Sequence, residues 1–288
     1  MLSFKSLPKF TLKLPTTLEE ALELKNSYKS DAVLLSGGSD LMVELRHHLK
    51  KPKVVIDLKK IKELQKVTYN SKEGLIIGAT VSYKTLQDIP DIKKEYSVFF
   101  DAMEHLCDAL IRNRAGPVGN ICTASPAGDS APALMVYDAK VKIQKKNGER
   151  IVLLRDFFAG VKKTILEDNE IVTQIIIPPS QNIPGKYYKA MRNSEDIAVT
   201  GVAVFFGKLN NKYILRVGLS SVAPTPQFFN LDFTLEKKGS LNEKIDQAIK
   251  QIQDSIKPIS DVRGSEDYKR HIAEVYVRKA LYTLVGGK

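Results

Sequence analysis

Apolar positions recur along the chain in short runs broken by glycine, proline or polar clusters, and the period of each run predicts its element. Thr17 followed three residues later by Glu20 has capping-box spacing, with Leu18, Ala21 and Leu22 on one face, which predicts a first helix. The run Ala32–Leu35 stops at Ser36-Gly37-Gly38-Ser39-Asp40, after which Leu41, Leu45 and Leu49 repeat at helical spacing: strand, glycine turn, helix. Val54–Asp57 and residues 75–77 predict short strands, while Met103, Leu106, Cys107 and Leu110 mark one face of another helix. Residues 140–144 and 151–154 predict a hairpin turned at Asn147-Gly148, and 171–177 a strand ended by Pro178-Pro179. The proline-rich stretch 178–185 predicts a domain boundary. Beyond it, 187–191, 202–209 and 213–222 predict strands, the last two turned at Asn210-Asn211, and 242–256 and 266–284 predict two closing helices. The pattern is that of an α+β chain in two parts.

Composition narrows the class. With 288 residues, 43% hydrophobic and 27% charged, the chain is long enough for two modest folded domains. The net charge of +11 is spread in pairs such as Lys50-Lys51, Lys93-Lys94 and Lys162-Lys163 rather than gathered in a stripe with aromatics, so no nucleic-acid role is expected. A solvated surface or an acidic partner subunit accounts for the lysines. Cys107 and Cys122 are too few for a zinc site or an iron–sulfur cluster. No apolar run approaches a membrane span and no signal peptide is recognisable, which makes the cytoplasm the expected location. Adjacent His47 and His48 diverge on a helix and read as surface residues.

Two loops carry the candidate chemistry. Gly37 and Gly38 leave backbone N–H groups open to a phosphate at a helix start, although any tight turn into a helix uses the same residues. Ser39 can cap that helix or donate to phosphate. Asp40 can accept from a ribose hydroxyl or from N–H groups of the first helical turn, the second being the stronger reading. The stretch 112–129 holds three glycines, two arginines, two asparagines and two hydroxyls, and reads either as a second face for the same nucleotide or as an ordered structural loop. Cys107 is expected to pack on the apolar face of its helix, and Cys122 to pack within the second loop, where a redox role is conceivable.

Several separated segments, in order, resemble the FAD-binding medium subunits of the xanthine dehydrogenase and carbon monoxide dehydrogenase group. They are Leu34-Leu35-Ser36-Gly37-Gly38-Ser39-Asp40-Leu41, Val55-Ile56-Asp57-Leu58, Ile76-Ile77-Gly78-Ala79, Arg112-Asn113, Gly119-Asn120, Ala124-Ser125-Pro126-Ala127-Gly128-Asp129, Asp196-Ile197-Ala198 and Asp261-Val262-Arg263-Gly264-Ser265. The resemblance covers essentially the whole chain. It implies a two-part α+β FAD-binding domain of the PCMH type at 1–178, split at about 57, followed by a smaller sheet-and-helix domain at 185–288. It also implies that FAD lies between the two loops. Leu34, Leu35, Ser36, Gly37, Gly38, Ser39, Asp40 and Leu41 would surround the diphosphate, with Gly116, Gly119, Asn120 and Thr123 on the second loop. Asp129 would accept from the ribose or order that loop, and Leu166 and Lys189 would lie near the adenine or the flavin ring. No catalytic or metal-ligating residue is implied. The implied partners are a two-iron two-sulfur subunit and a large molybdopterin subunit.

Gly116-Pro117-Val118-Gly119-Asn120 stands where the family's second loop usually reads Thr-Ile-Gly-Gly-Asn. Pro117 lacks a donor and Val118 resists positive φ, which predicts weaker FAD binding or a different loop shape. The leading expectation is an electron-relaying FAD subunit; a stand-alone flavoprotein reductase and a scaffold that has lost FAD are the alternatives.

Overall fold

The computed structural model of the chain describes residues 6–235 and 240–286. Residues 1–5, 236–239 and 287–288, which fall inside the expected domain ranges, lie outside the described residues.

The chain opens with β1 (Thr11–Lys13), α1 (Leu18–Tyr28), β2 (Ala32–Leu35), α2 (Leu41–Arg46) and β3 (Val54–Asp57), forming a parallel sheet in the order β1-β3-β2. Thr17 accepts from the Glu20 N–H at 3.2 Å, and the Glu20 carboxylate reaches back to the Thr16 N–H at 2.9 Å, a capping box displaced by one residue. All four residues of β3 are buried because the strand has a core on each face. Val54 and Ile56 join the main core, whereas Val55 packs with Leu41 and Leu45 of α2. α2 stops before the expected Leu49, which is 72% exposed, because His48 takes a φ of 56°.

Next come β4 (Val67–Asn70), β5 (Gly74–Gly78), α3 (Tyr83–Gln87), α4 (Pro90–Glu95), α5 (Ser97–Glu104), α6 (Ala109–Arg112), α7 (Pro117–Thr123) and α8 (Ser130–Met135). They are followed by β6 (Lys140–Lys145), β7 (Gly148–Leu153), β8 (Phe158–Gly160), β9 (Lys163–Thr164) and β10 (Ile171–Ile177). An antiparallel sheet of order β4-β5-β10-β6-β7 carries this part. The β6–β7 turn is Lys146-Asn147, with Gly148 already paired to Lys145, one residue earlier than expected.

The single helix expected through Met103 to Leu110 is two. α5 ends at Glu104, Cys107 adopts a φ of 43°, and Asp108 caps a new helix by accepting from the Ile111 N–H at 2.7 Å. Leu106 is buried but Leu110 is 77% exposed, so they share no face, and Cys107 lies half-buried in the turn. The stretch 112–129 is likewise no continuous loop, since α7 occupies its middle.

The remainder comprises β11 (Gly185–Ala190), β12 (Thr200–Leu209), β13 (Lys212–Ser220) and β14 (Gln227–Asn230) in that spatial order, then α9 (Leu241–Ser255) and α10 (Glu266–Gly286). Asn210 and Asn211, both at positive φ, turn β12 into β13. β12 is buried on both faces: Ala203 and Phe205 join the main core with Tyr187, whereas Val202, Val204 and Phe206 pack with Ile249 and Ile252 of α9 and Ala273 and Val277 of α10. The last sheet is thereby pressed between the first part of the chain and its own helices.

Candidate functional site

Residues 36–40 leave the C-terminal end of β2, where a parallel sheet offers a crevice to ligands. Gly38 turns the chain with a φ of 79°, a left-handed conformation unfavourable to a side chain. Gly37 is required by contact: a Cβ there would lie 2.0 Å from the Arg114 carbonyl oxygen, so the first loop rests on the backbone of the second. Ser36 Oγ donates to the Ala79 carbonyl at 3.0 Å and ties the loop to the end of β5. Leu34 and Leu35 are half-buried in β2, and Leu41, the first residue of α2, is buried against Val55 and Leu45. Among the described residues, no carbonyl or side chain accepts from the N–H groups of Gly37, Gly38, Ser39, Asp40 or Leu41. Five successive open donors at a helix start form a strong anion cradle.

Asp40 departs from the expected role. It already has helical geometry, with φ −86° and ψ −49°, so its carboxylate is not directed at the first-turn N–H groups and neither it nor Ser39 caps α2. Asp40 Oδ2 instead accepts from Thr123 Oγ1 at 3.2 Å, which bridges the two loops.

In the second loop, Gly116 is extended and packs so tightly that a Cβ would meet the Val81 carbonyl oxygen at 2.0 Å. Pro117 is the first residue of α7, where its missing N–H has no intrahelical partner to lose and its fixed φ suits the helix. Val118 is buried in the main core. Of the two expected consequences the structure bears on loop shape: these positions are helical rather than at positive φ, and Val118 points inward. The N–H groups of Gly116, Val118 and Gly119 also donate to nothing among the described residues, and a Cβ at Gly119 would meet no atom within 4 Å. Asn120 Oδ1 is buried without a hydrogen-bond partner. Thr123 Oγ1 is also 3.1 Å from the Gly119 carbonyl.

Beneath this loop lies a buried polar network. Asp129 accepts from the Tyr187 hydroxyl at 3.0 Å and from Lys189 Nζ at 3.1 Å, and Lys189 also donates to the His105 carbonyl at 2.9 Å. Burial pushes the Asp129 carboxyl above the usual carboxylate range, opposed by Lys189 and Tyr187. Ser130 Oγ and the Tyr83 hydroxyl are 2.6 Å apart. Asp129 and Lys189 are thus brought to one another. Leu166 is half-buried just after the β8–β9 hairpin, whose Lys162 N–H donates to the Ala124 carbonyl at 2.9 Å, so that hairpin abuts the end of α7. Burial pushes the Cys122 thiol up to about 12 and raises that of Cys107, which favours the thiol over the thiolate at both.

Residues missed from sequence include Tyr187, Lys59 and Ser130. Tyr187 sits two positions before Lys189 on one face of β11, and strand periodicity alone links the pair. Lys59, ion-paired with Asp57 at 3.0 Å, lines an open cleft of about 270 Å³ beside Ser36 and Gly37, together with Thr80, Ser82, Thr85, Asn113 and Arg114. The two touching loops together offer open N–H donors, a buried unpartnered acceptor and nearby cations, a set suited to a diphosphate that also carries hydroxyl or N–H donors.

Comparison with known proteins agrees. Residues 8–180 match the family described as the FAD binding domain in molybdopterin dehydrogenase, and residues 186–284 match the CO dehydrogenase flavoprotein C-terminal domain. The putative xanthine dehydrogenase FAD-binding subunit of Escherichia coli strain K12 is 29% identical over 280 residues, 94% of this chain and 96% of that protein. The carbon monoxide dehydrogenase medium chain of Hydrogenophaga pseudoflava is 29% identical, covering 95% of this chain and 96% of its own. A solved carbon monoxide dehydrogenase chain from that organism superposes with a TM-score of 0.89 at 27% identity, covering 98% of this chain and 99% of its own. With both family domains matched in order, the chain belongs to the FAD-binding proteins of the molybdopterin dehydrogenases.

Proposed function

We propose that this chain is the electron-relaying FAD subunit of a multi-subunit, molybdenum-dependent oxidoreductase in which another subunit binds the organic substrate. The observation that carries this reading is that two sets of open N–H groups, Gly37 to Leu41 and Gly116, Val118 and Gly119, lie on loops that touch each other at Gly37 and Arg114 and at Asp40 and Thr123. FAD fits the residues present on two counts. Its diphosphate would accept from the open amides, and its hydroxyl or N–H groups would supply the donor that Asn120 Oδ1 lacks. In this reading the backbone from Ser36 to Leu41 and the first turn of α7 hold the diphosphate. Asn120 and Thr123 orient the cofactor, while Asp129, paired with Lys189, orders the loop rather than reaching for a ribose. Leu166 would lie near the adenine or the flavin ring, and Lys189, buried on Asp129 and the His105 carbonyl, would act through Asp129. The units holding these parts are 1–178, divided near 57, and 185–288.

Bound FAD supplies a centre able to exchange electrons singly or in pairs, and the chain's part is to place and tune it. The amides neutralise negative charge without a titrating group, and buried Val118, Ile121 and Leu41 keep water from beneath the loops. We assign a two-iron two-sulfur subunit as electron donor and a large molybdopterin subunit as the site of substrate chemistry. Support comes from the relatives, which are named as a FAD-binding subunit and a medium chain. No helix among the described residues is long and apolar enough to cross a membrane, and we place the assembly in the cytoplasm. Mixing the FAD-loaded chain with its reduced iron–sulfur partner tests the relay: loss of flavin absorbance within seconds is expected. Flavin that is unmoved by the partner yet bleached by an organic substrate alone would make the chain a stand-alone reductase.

A further inference from the structure

We propose that Tyr187, on a strand of the C-terminal sheet, is a positioning residue for the cofactor, acting through Asp129 and Gly128 on the buried side chain of Asn120. This rests on the FAD reading above and adds a control that comes from outside the two loops.

The contacts form a chain. The Tyr187 hydroxyl donates to Asp129 Oδ1 at 3.0 Å, and Lys189 donates to Oδ2, so both carboxylate oxygens are held by β11. Tyr187 is 2% and Asp129 7% exposed, and no solvent substitutes for a lost donor at such a site. Gly201 of β12 leaves room for the hydroxyl and for Ser220 Oγ, since a Cβ there would lie 2.7 Å from the Tyr187 oxygen and 2.6 Å from that of Ser220. On the loop side, Asp129 directly follows Gly128, whose N–H donates to the Ser125 carbonyl at 3.0 Å. A Cβ on Gly128 would lie 3.2 Å from Asn120 Oδ1, so this backbone forms the wall against which the amide rests. Asn120 Oδ1 is the buried acceptor without a partner. A shift of Asp129 towards a new donor carries Gly128 with it and turns the Asn120 amide away from the ligand, whereas Tyr187 itself need not touch the cofactor.

The test uses the full-length chain, freed of flavin and titrated with FAD by flavin fluorescence, as wild type, Tyr187→Phe, Asn120→Ala and the double variant. A roughly tenfold rise in Kd is expected for Tyr187→Phe, with a double variant no weaker than Asn120→Ala alone to within about twofold, because the two changes act on one contact. Gly201→Ala, which keeps the tyrosine but presses on both its hydroxyl and Ser220 Oγ, is expected to raise Kd likewise, and serves should Tyr187→Phe not fold, with Ser220→Ala, expected to bind FAD as wild type does, as its control. A variant that melts earlier but binds FAD as wild type does, or effects of Tyr187→Phe and Asn120→Ala that multiply, would overturn the proposal. A wild-type chain that binds no FAD would instead sink the reading on which it rests.

Discussion

At Gly37 a methyl group would press on the Arg114 carbonyl, whereas at Gly119 it would meet no protein atom within 4 Å. Gly37→Ala is therefore expected to part the loops, costing about 1 to 3 kcal/mol of stability in urea unfolding and losing FAD as well. Gly119→Ala separates the two effects. As a glycine inside α7 its replacement should leave the apoprotein unchanged or stabilise it by about 0.5 to 1 kcal/mol. Its methyl would nevertheless project where the cofactor lies, so the FAD titration should show weaker binding. A Gly119→Ala chain with undiminished FAD affinity would place the ligand elsewhere. The glycines themselves were legible in the sequence, but which of them serve contact and which serve access was not, because that depends on residues 77 positions apart along the chain, such as Gly37 and Arg114.

Short elements show where periodicity succeeds. Thr17 and Glu20 announced α1, and Asn210-Asn211 announced the β12–β13 turn, because each signal is local hydrogen-bond or φ chemistry. The break at Cys107 was hidden because a cysteine at positive φ carries no sequence mark; tertiary packing imposes it. α7 was hidden because its Pro117 reads as a breaker when its place within the helix is unknown, yet it is the favoured first residue. Pro117→Ala is expected to cost about 0.4 to 1 kcal/mol in denaturant unfolding through the unfolded chain, with FAD affinity changed less than about twofold. Near the start of α10, Asp261 accepts from Arg263 and from the buried Lys269, and these bonds, Arg263 first, hold its carboxyl well below the usual carboxylate range against the opposing effect of burial. Because its folded pKa is depressed, the stability it contributes is present above the ordinary carboxylate range and lost as pH falls through the depressed folded value. Asp261→Asn should cost about 2 kcal/mol at neutral pH, below the value for a fully buried pair since Asp261 keeps some contact with water. The gap between variant and wild type should close in acid, and a gap constant down to pH ~2 would contradict that origin.

The molecule as a whole is joined through β12, whose two faces belong to two different cores, and through the Asp129–Tyr187–Lys189 contacts that cross from the C-terminal sheet to the second loop. Elements with a strong apolar pattern of their own, such as β2, β10, β12 and α9, were legible, whereas short ones such as β4, α3, α4, α8 and β14 were not. The crossing network was not, since residues 129 and 187 are joined only in the folded chain. One cofactor seated between loops that are themselves braced by the C-terminal sheet should stabilise both halves together. At a free FAD concentration 100 times Kd the gain is about 2.7 kcal/mol, visible as a single transition moved to higher temperature. The most direct test of the central claim is the visible spectrum of the purified chain before and after adding FAD, with the released cofactor identified after denaturation. Flavin bands corresponding to about one FAD per chain are predicted. A colourless chain that takes up no FAD, even with its partner subunits supplied, would contradict the account and leave a scaffold in place of an electron carrier.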